Sequence, residues 1–112
     1  AALLCADDSV YTGCNIENAA FTPGICAERT AIYKAVSEGK RAFTAIAIAG
    51  GPEGSAPALT APCGVCRQVM REFCDPEEFR IILGAGTGEK QVYLLKELLP
   101  LSFGPDNLNG KE

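Results

Sequence analysis

Apolar and polar residues follow two different periods along this chain. Two short β-like runs, "AALLCA" and "SVYTGCNIEN", flank a polar turn at residues 7–9 and predict a hairpin. In "PGICAERTAIYKAVSEG", apolar residues recur at three- and four-residue steps up to Gly39, a pattern that predicts a helix ending there. The nearly all-apolar segment "AFTAIAIAG" is typical of a strand covered by helices on both faces.

The second half of the chain continues the alternation of strands and helices. A loop rich in Gly, Pro and Ser, residues 50–62, precedes "GVCRQVMREF", whose apolar stripe predicts a second helix. The segments "FRIILGAG" and "KQVYLL" predict two more strands, and "KELLPLSF" predicts a short helix broken by Pro100. This order of elements predicts an α/β fold: a three-layer α/β/α sandwich around a mixed five-stranded sheet.

Composition limits the function classes. A chain of 112 residues with 47% hydrophobic content suits one domain over residues 1–112 with a real core. No apolar run reaches the roughly 20 residues of a membrane span and the start lacks a signal-peptide pattern, so we expect a cytoplasmic protein. The net charge of −4, with no dense Lys or Arg cluster, argues against nucleic acid as a partner and favours a small-molecule substrate.

Six cysteines and no histidine are the chemically informative residues. Three cysteines lie in apolar segments, where thiols act as small hydrophobic groups: Cys5, Cys14 and Cys74. The other three lie where predicted helices begin: Cys26, Cys63 and Cys66. Helix amino termini favour the thiolate, and two such termini facing each other would bring three thiolates together. Zinc accepts that set with a fourth position open, as in catalytic sites.

With no histidine, acid–base chemistry near such a metal falls to a carboxylate, and Glu28 is the obvious candidate. It lies two residues after Cys26, so it does not share a helix face with that thiol, and a role beside the metal fits better than ligation. Three thiolates leave a net negative centre. Arg29 and Arg67 are the nearest countercharges, and Gln68 is a further donor to the ligand sulfurs.

Two other interpretations of the cysteines stay open. A structural zinc module would need a fourth protein ligand, for which Cys14 is the candidate. A thioredoxin-like redox role for Cys63 and Cys66 would leave Cys26 and Glu28 unexplained.

The "CAE" motif followed by "PCxxC", each opening a helix, resembles the zinc nucleoside and nucleobase deaminases. More closely, "GCNIENAAFTPGICAERTAIYKAVSEG", "PCGVCRQVMREF" and "ELLPLSFGPDNL" are similar to the small homotetrameric cytidine deaminases in their three-cysteine form. The resemblance covers almost the whole chain. It implies a homotetramer that uses Zn²⁺ to convert cytidine and 2′-deoxycytidine to uridine and 2′-deoxyuridine plus ammonia, in pyrimidine salvage.

The resemblance also implies a role for each matched residue. The zinc ligands would be Cys26, Cys63 and Cys66, with Glu28 as the proton shuttle. Matched substrate contacts are Asn15 and Glu17 to the ribose, the N–H of Ala27 to the pyrimidine 2-oxo group, and Phe103 packing on the base from a neighbouring subunit. Matched donors to the ligand sulfurs are Arg29 and Gln68.

The chain departs from the family at its start. Family members carry an amino-terminal helix and a "YSxFxVG"-like stretch before the "AALL" strand, so we expect residues upstream and an incomplete or inactive pocket without them. A deaminase of a related aminopyrimidine nucleoside would share nearly all the motifs, and the "CNIEN" pair favours free nucleosides. The acidic balance and the absence of Trp disfavour a polynucleotide-editing enzyme.

Overall fold

The computed structural model describes residues 1–51 and 54–109, so residues 52 and 53 of the predicted loop lie outside the described part. Its strands are β1 Ala2–Cys5, β2 Val10–Thr12, β3 Phe43–Ile48, β4 Arg80–Gly84 and β5 Lys90–Leu94. Its helices are α1 Ala27–Ser37, α2 Gly64–Phe73, α3 Leu95–Leu98 and α4 Pro105–Asn109. None of the helices in the described residues is long and apolar enough to cross a membrane.

The five strands form one sheet in the order β2-β1-β3-β4-β5. Strands β3 and β4 are parallel, and every other neighbouring pair is antiparallel. The predicted α/β class and mixed five-stranded sheet are therefore confirmed. A parallel pair needs a crossover connection, and α2 lies in the connection between β3 and β4.

The core lies between the sheet and the first two helices. Alternate strand residues are buried in the three central strands: Leu3 and Cys5, Ile46 and Ile48, Ile81 and Leu83. Helices α1 and α2 cover them with Ala31, Ile32, Ala35, Cys66 and Met70, and α1 also contacts α2 directly. The apolar faces of the predicted helices and strands therefore form one core. This packing places the first turns of α1 and α2 beside each other.

Two predicted boundaries were wrong. Helix α1 begins at Ala27 and not in "PGIC", because Ile25 pairs with Ile16 in a β-bridge whose two N–H···O bonds are both 2.9 Å. Strand β2 ends at Thr12, so Asn15 and Glu17 lie in the segment after it and not on the strand itself.

Helix α4 was not predicted, although Pro105 at its first position is a common helix-start signal. The end of α1 was predicted correctly. Gly39 has a φ of +93°, in the left-handed region that glycine adopts readily and that commonly terminates helices.

Candidate active site

Three thiols converge where α1 and α2 begin. Cys26 is the N-cap residue of α1 and Cys63 that of α2, and both have extended backbone dihedrals. Cys66 lies in the first turn of α2, and its backbone N–H donates to Cys63 Sγ at 3.4 Å. The Sγ atoms of Cys26 and Cys63 are 3.6 Å apart and those of Cys63 and Cys66 are 3.4 Å apart.

This spacing fits a tetrahedral zinc ion. With the usual Zn–S length of about 2.3 Å, ligand sulfurs lie about 3.8 Å apart, and the three Sγ atoms here all lie within 4.8 Å of one another. No fourth His, Cys, Asp or Glu joins the cluster within residues 1–51 and 54–109. Cys14, the fourth ligand that a structural zinc module would need, is exposed and outside the cluster. The site therefore offers three ligands and one open position.

The thiols differ in pKa. Burial is the largest influence on Cys63 and raises its pKa, but hydrogen bonds from the Cys66 amide and from the neighbouring thiols outweigh it, so the pKa of Cys63 is lowered. Burial, followed by the contact with Cys63, holds the pKa of Cys66 well above its ordinary value. A bound divalent cation stabilises the thiolate form of each ligand, so metal binding would release the proton of Cys66.

The two arginines considered as countercharges have different roles. Arg29 Nη2 donates to Cys26 Sγ at 3.5 Å, and this bond, opposed by burial, raises the pKa of Arg29. A fixed cation at this distance offsets part of the negative charge of three thiolates. Arg67 is directed elsewhere: Nε donates to the Pro62 carbonyl at 2.8 Å and Nη1 to the Leu98 carbonyl at 2.7 Å. Arg67 therefore braces the residue before Cys63.

A cavity of about 530 Å³ opens beside the cluster. It is lined by Cys26 and Cys63 and by the first two residues of α1, Ala27 and Glu28. Glu28 is only 7% exposed, and no protein donor contacts its carboxylate among the described residues. A buried carboxylate without a protein partner, lining the same cavity as Cys26 and Cys63, can accept and release a proton there. The first N–H groups of a helix also lack intrahelical partners, which leaves the Ala27 N–H available for a ligand.

A second cavity of about 600 Å³ meets the first at Asn15, Cys26 and Cys63. Glu17 lines this second cavity, and Asn15 Nδ2 donates to Glu17 Oε1 at 2.8 Å. The amide and carboxylate are therefore side by side, with Asn15 where the two cavities meet and Glu17 in the second one. An adjacent amide and carboxylate suit a ligand with neighbouring hydroxyl groups.

Two matched residues lie away from the cluster. Phe103 is 59% exposed and lines neither of these cavities. Gln68 Nε2 donates to the Phe103 carbonyl at 2.8 Å, so this structure directs that amide to the Phe103 segment and not to a ligand sulfur. Another α2 side chain, Arg71, also bonds to this segment, at Ser102 and Asp106.

Sequence reasoning missed Gly13. A Cβ atom at Gly13 would lie 2.5 Å from the Ala27 carbonyl oxygen and 2.5 Å from the Ala31 amide nitrogen. The absence of a side chain lets the first turn of α1 approach the segment that carries Asn15. The signal was a glycine inside the β-like run "SVYTGCNIEN", since such a glycine often marks a close approach of another backbone.

An open fourth position beside a buried carboxylate is the arrangement of a catalytic zinc site and not of a structural one. Together with the mixed α/β sheet, it places the chain in the class of α/β zinc enzymes.

Comparison with known proteins gives the family. The sequence model described as the cytidine and deoxycytidylate deaminase zinc-binding region matches residues 1–81, and the chain belongs to this family. It is 46% identical to a cytidine deaminase of Halalkalibacterium halodurans over 109 residues, 97% of this chain and 79% of that one. It is 43% identical to a cytidine deaminase of Sporosarcina psychrophila, over 97% of this chain and 76% of that one.

A solved structure of a cytidine deaminase has a similar fold. The crystal structure of cytidine deaminase from Burkholderia pseudomallei is similar to this chain with a TM-score of 0.81 and 41% identity, covering 91% of this chain and 78% of that one.

Proposed function

We propose that this protein catalyses the zinc-dependent hydrolytic deamination of cytidine and 2′-deoxycytidine, which yields uridine and 2′-deoxyuridine plus ammonia. The observation that carries the proposal is the cluster of three thiols with one open position, two of which, Cys26 and Cys63, line the same cavity as the buried carboxylate of Glu28. Family membership and relatives described as cytidine deaminases support the same reaction.

In this mechanism Cys26, Cys63 and Cys66 would hold the zinc ion. When bound, zinc supplies a coordinated water that is acidic near neutral pH. Glu28 would accept a proton from the attacking water and deliver it to ring N3, which activates C4 for addition of the water oxygen. Glu28 would then take the proton of the new C4 hydroxyl group and deliver it to the amino group. The C4–N bond breaks as ammonia leaves, and the new C4–O bond becomes the carbonyl of the uracil ring.

Substrate positioning falls to neighbouring groups of the same two cavities. The Ala27 N–H donates to the pyrimidine 2-oxo group. Asn15 and Glu17 bind the ribose hydroxyl groups, a role supported by their mutual 2.8 Å hydrogen bond and by their shared place in the second cavity. Glu17 brings a carboxylate to the ribose end, which disfavours a phosphorylated substrate and supports a free nucleoside.

We propose further that the enzyme is a cytoplasmic homotetramer in pyrimidine salvage, in which Phe103 of one subunit packs on the base bound by a neighbour. Several large apolar side chains are exposed in the single chain, and their burial would favour assembly: Phe21, Leu101, Phe103 and Leu108. Phe21 is 98% exposed, an unusual value for a phenylalanine in a free monomer.

The test is a Glu28→Gln variant, which keeps the size of the side chain and removes its acid–base function. We expect unchanged zinc per subunit and a fall in kcat of at least about 100-fold, followed as the loss of cytidine absorbance. Glu89→Gln is the matched control, because Glu89 is exposed in the turn between β4 and β5. Near-normal kcat in Glu28→Gln would overturn the mechanism, and a zinc-loaded wild type with no turnover on either nucleoside would overturn the activity.

A further inference from the structure

Gln68 and Arg71, in the middle of α2, bind the chain segment around Phe103. Gln68 Nε2 donates to the Phe103 carbonyl at 2.8 Å, and Arg71 Nε donates to Ser102 Oγ at 2.9 Å. Arg71 Nη2 also pairs with Asp106 Oδ2 at 3.5 Å. The Arg71 side chain is only 11% exposed, so this guanidinium is held in place and not free in solvent. Residues on both sides of Phe103 are therefore tied to one helix.

Gly104 leaves the space that the Arg71 contacts require. A Cβ atom at Gly104 would clash with the guanidinium carbon of Arg71, so the guanidinium packs directly against the glycine backbone. The Gly104 N–H donates to Asn107 Oδ1 at 2.8 Å, and its carbonyl accepts from the Asn107 N–H at 3.0 Å. The backbone after Phe103 is therefore fixed by Arg71 on one side and by α4 on the other.

The result is a fixed backbone with an exposed aromatic ring. The backbone of Phe103 is bonded through its carbonyl, while its side chain is 59% exposed. Leu101, two residues earlier, has a φ of +52° in the left-handed region, although its side chain is exposed. The same helix carries Cys63 and Cys66 at its start. One helix thus orients two zinc ligands at one end and the Phe103 segment along its length.

We propose that Arg71 is a positioning residue that presents the Phe103 ring to the active site of a neighbouring copy. Gln68 contributes through its hydrogen bond to Phe103, and Gly104 leaves room for the Arg71 side chain. This proposal rests on the proposed role of Phe103 in packing on the substrate base. Arg71 itself touches no substrate. Its effect on the reaction passes through the position of one aromatic ring, so it should change KM more than kcat.

A double-mutant cycle on the full chain tests this pathway. The variants are Arg71→Met, Phe103→Ala and the combination, with Arg80→Met as control for loss of one exposed arginine. We expect Phe103→Ala to raise KM for cytidine about tenfold, the scale of one lost base–aromatic stack. Arg71→Met should raise KM about fivefold, with zinc per subunit and kcat within about twofold of the wild type. In the Phe103→Ala background, Arg71→Met should not raise KM further, because its effect is expected to act only through the Phe103 ring. If the two residues acted independently, their effects on KM would multiply.

Hydrogen exchange gives a second measurement that does not need turnover. Arg71→Met should speed exchange of the Gly104 amide at least about tenfold, while amides of β3 stay protected as in Arg80→Met. An Arg71→Met effect on KM that persists in the Phe103→Ala background would overturn the pathway through the ring. Unchanged exchange at Gly104 would show that Arg71 does not fix the backbone after Phe103. This outcome would refute the positioning role even if the protein deaminates cytidine as proposed. If Phe103→Ala leaves KM unchanged while the wild type is active, the role of Phe103 fails and the positioning proposal with it.

Discussion

Replacement of Gly13 by alanine should separate the two sides of the proposed active site. The new Cβ would lie 2.5 Å from the Ala27 carbonyl oxygen and 2.5 Å from the Ala31 amide nitrogen. Ordinary contacts of this kind need roughly 3.4 Å, so the segment after β2 and the first turn of α1 must move apart by about 0.9 Å. Both clashing atoms belong to the helix backbone, so no side-chain rotation can relieve the contact.

The cost should appear in both stability and activity. Forcing an extra carbon into a packed region typically costs about 1–3 kcal/mol. The displacement also separates Asn15, which follows Gly13, from Ala27 and Glu28 on α1. Since a misplacement near 1 Å can cost about 100-fold in rate, we expect kcat/KM for cytidine to fall at least about tenfold.

Urea denaturation and steady-state deamination measure the two effects. Gly84→Ala is the matched control, because a Cβ at Gly84 meets no heavy atom within 4 Å. The reasoning is refuted if Gly13→Ala has the wild-type free energy of unfolding and kcat/KM. A loss of stability with unchanged kcat/KM would show that the shift is absorbed away from the cavity and would refute the link to the site.

Two further predictions concern the metal cluster. Arg67→Met should lower the free energy of unfolding by at least about 1.5 kcal/mol, because it leaves the Pro62 and Leu98 carbonyls without their charged donor. Since Pro62 directly precedes Cys63, the variant should also lose zinc faster to a chelator, and wild-type values for both measurements would contradict the brace. Removal of zinc from the wild type should lower Tm, because ligand binding to the native state stabilises it. Zinc but not Mg²⁺ should restore Tm, since thiolates favour the softer ion, and an unchanged Tm on chelation would argue against a metal at the three thiols.

Local patterns in the sequence were enough to predict most of the fold. Helix α2 has the bounds expected from "GVCRQVMREF", and the apolar runs became β3 and β4. These signals are local: side-chain periodicity reports which face of an element is buried, and the spacing of Cys63 and Cys66 fixes their place in one helical turn. The absence of histidine was also decisive, because it directed the search for an acid–base group to the carboxylate of Glu28.

Other features depended on contacts between residues far apart in the chain. The start of α1 moved to Ala27 because Ile25 pairs with Ile16, and Arg67 turned from a presumed countercharge to a brace on Pro62 and Leu98. The partner of a long side chain is chosen by which backbone carbonyls the packed fold brings within reach, and no local period reports that.

The sequence by itself therefore determined the types of element and the chemistry available at the two helix starts. Only the tertiary structure decided that Cys26 would meet Cys63 at 3.6 Å and that the Glu28 carboxylate would be buried in the same cavity. The physical reason is that thiol identity and helix position are encoded residue by residue. Convergence instead requires α1 and α2 to pack together on one sheet, and that packing is a sum of many contacts between distant parts of the chain.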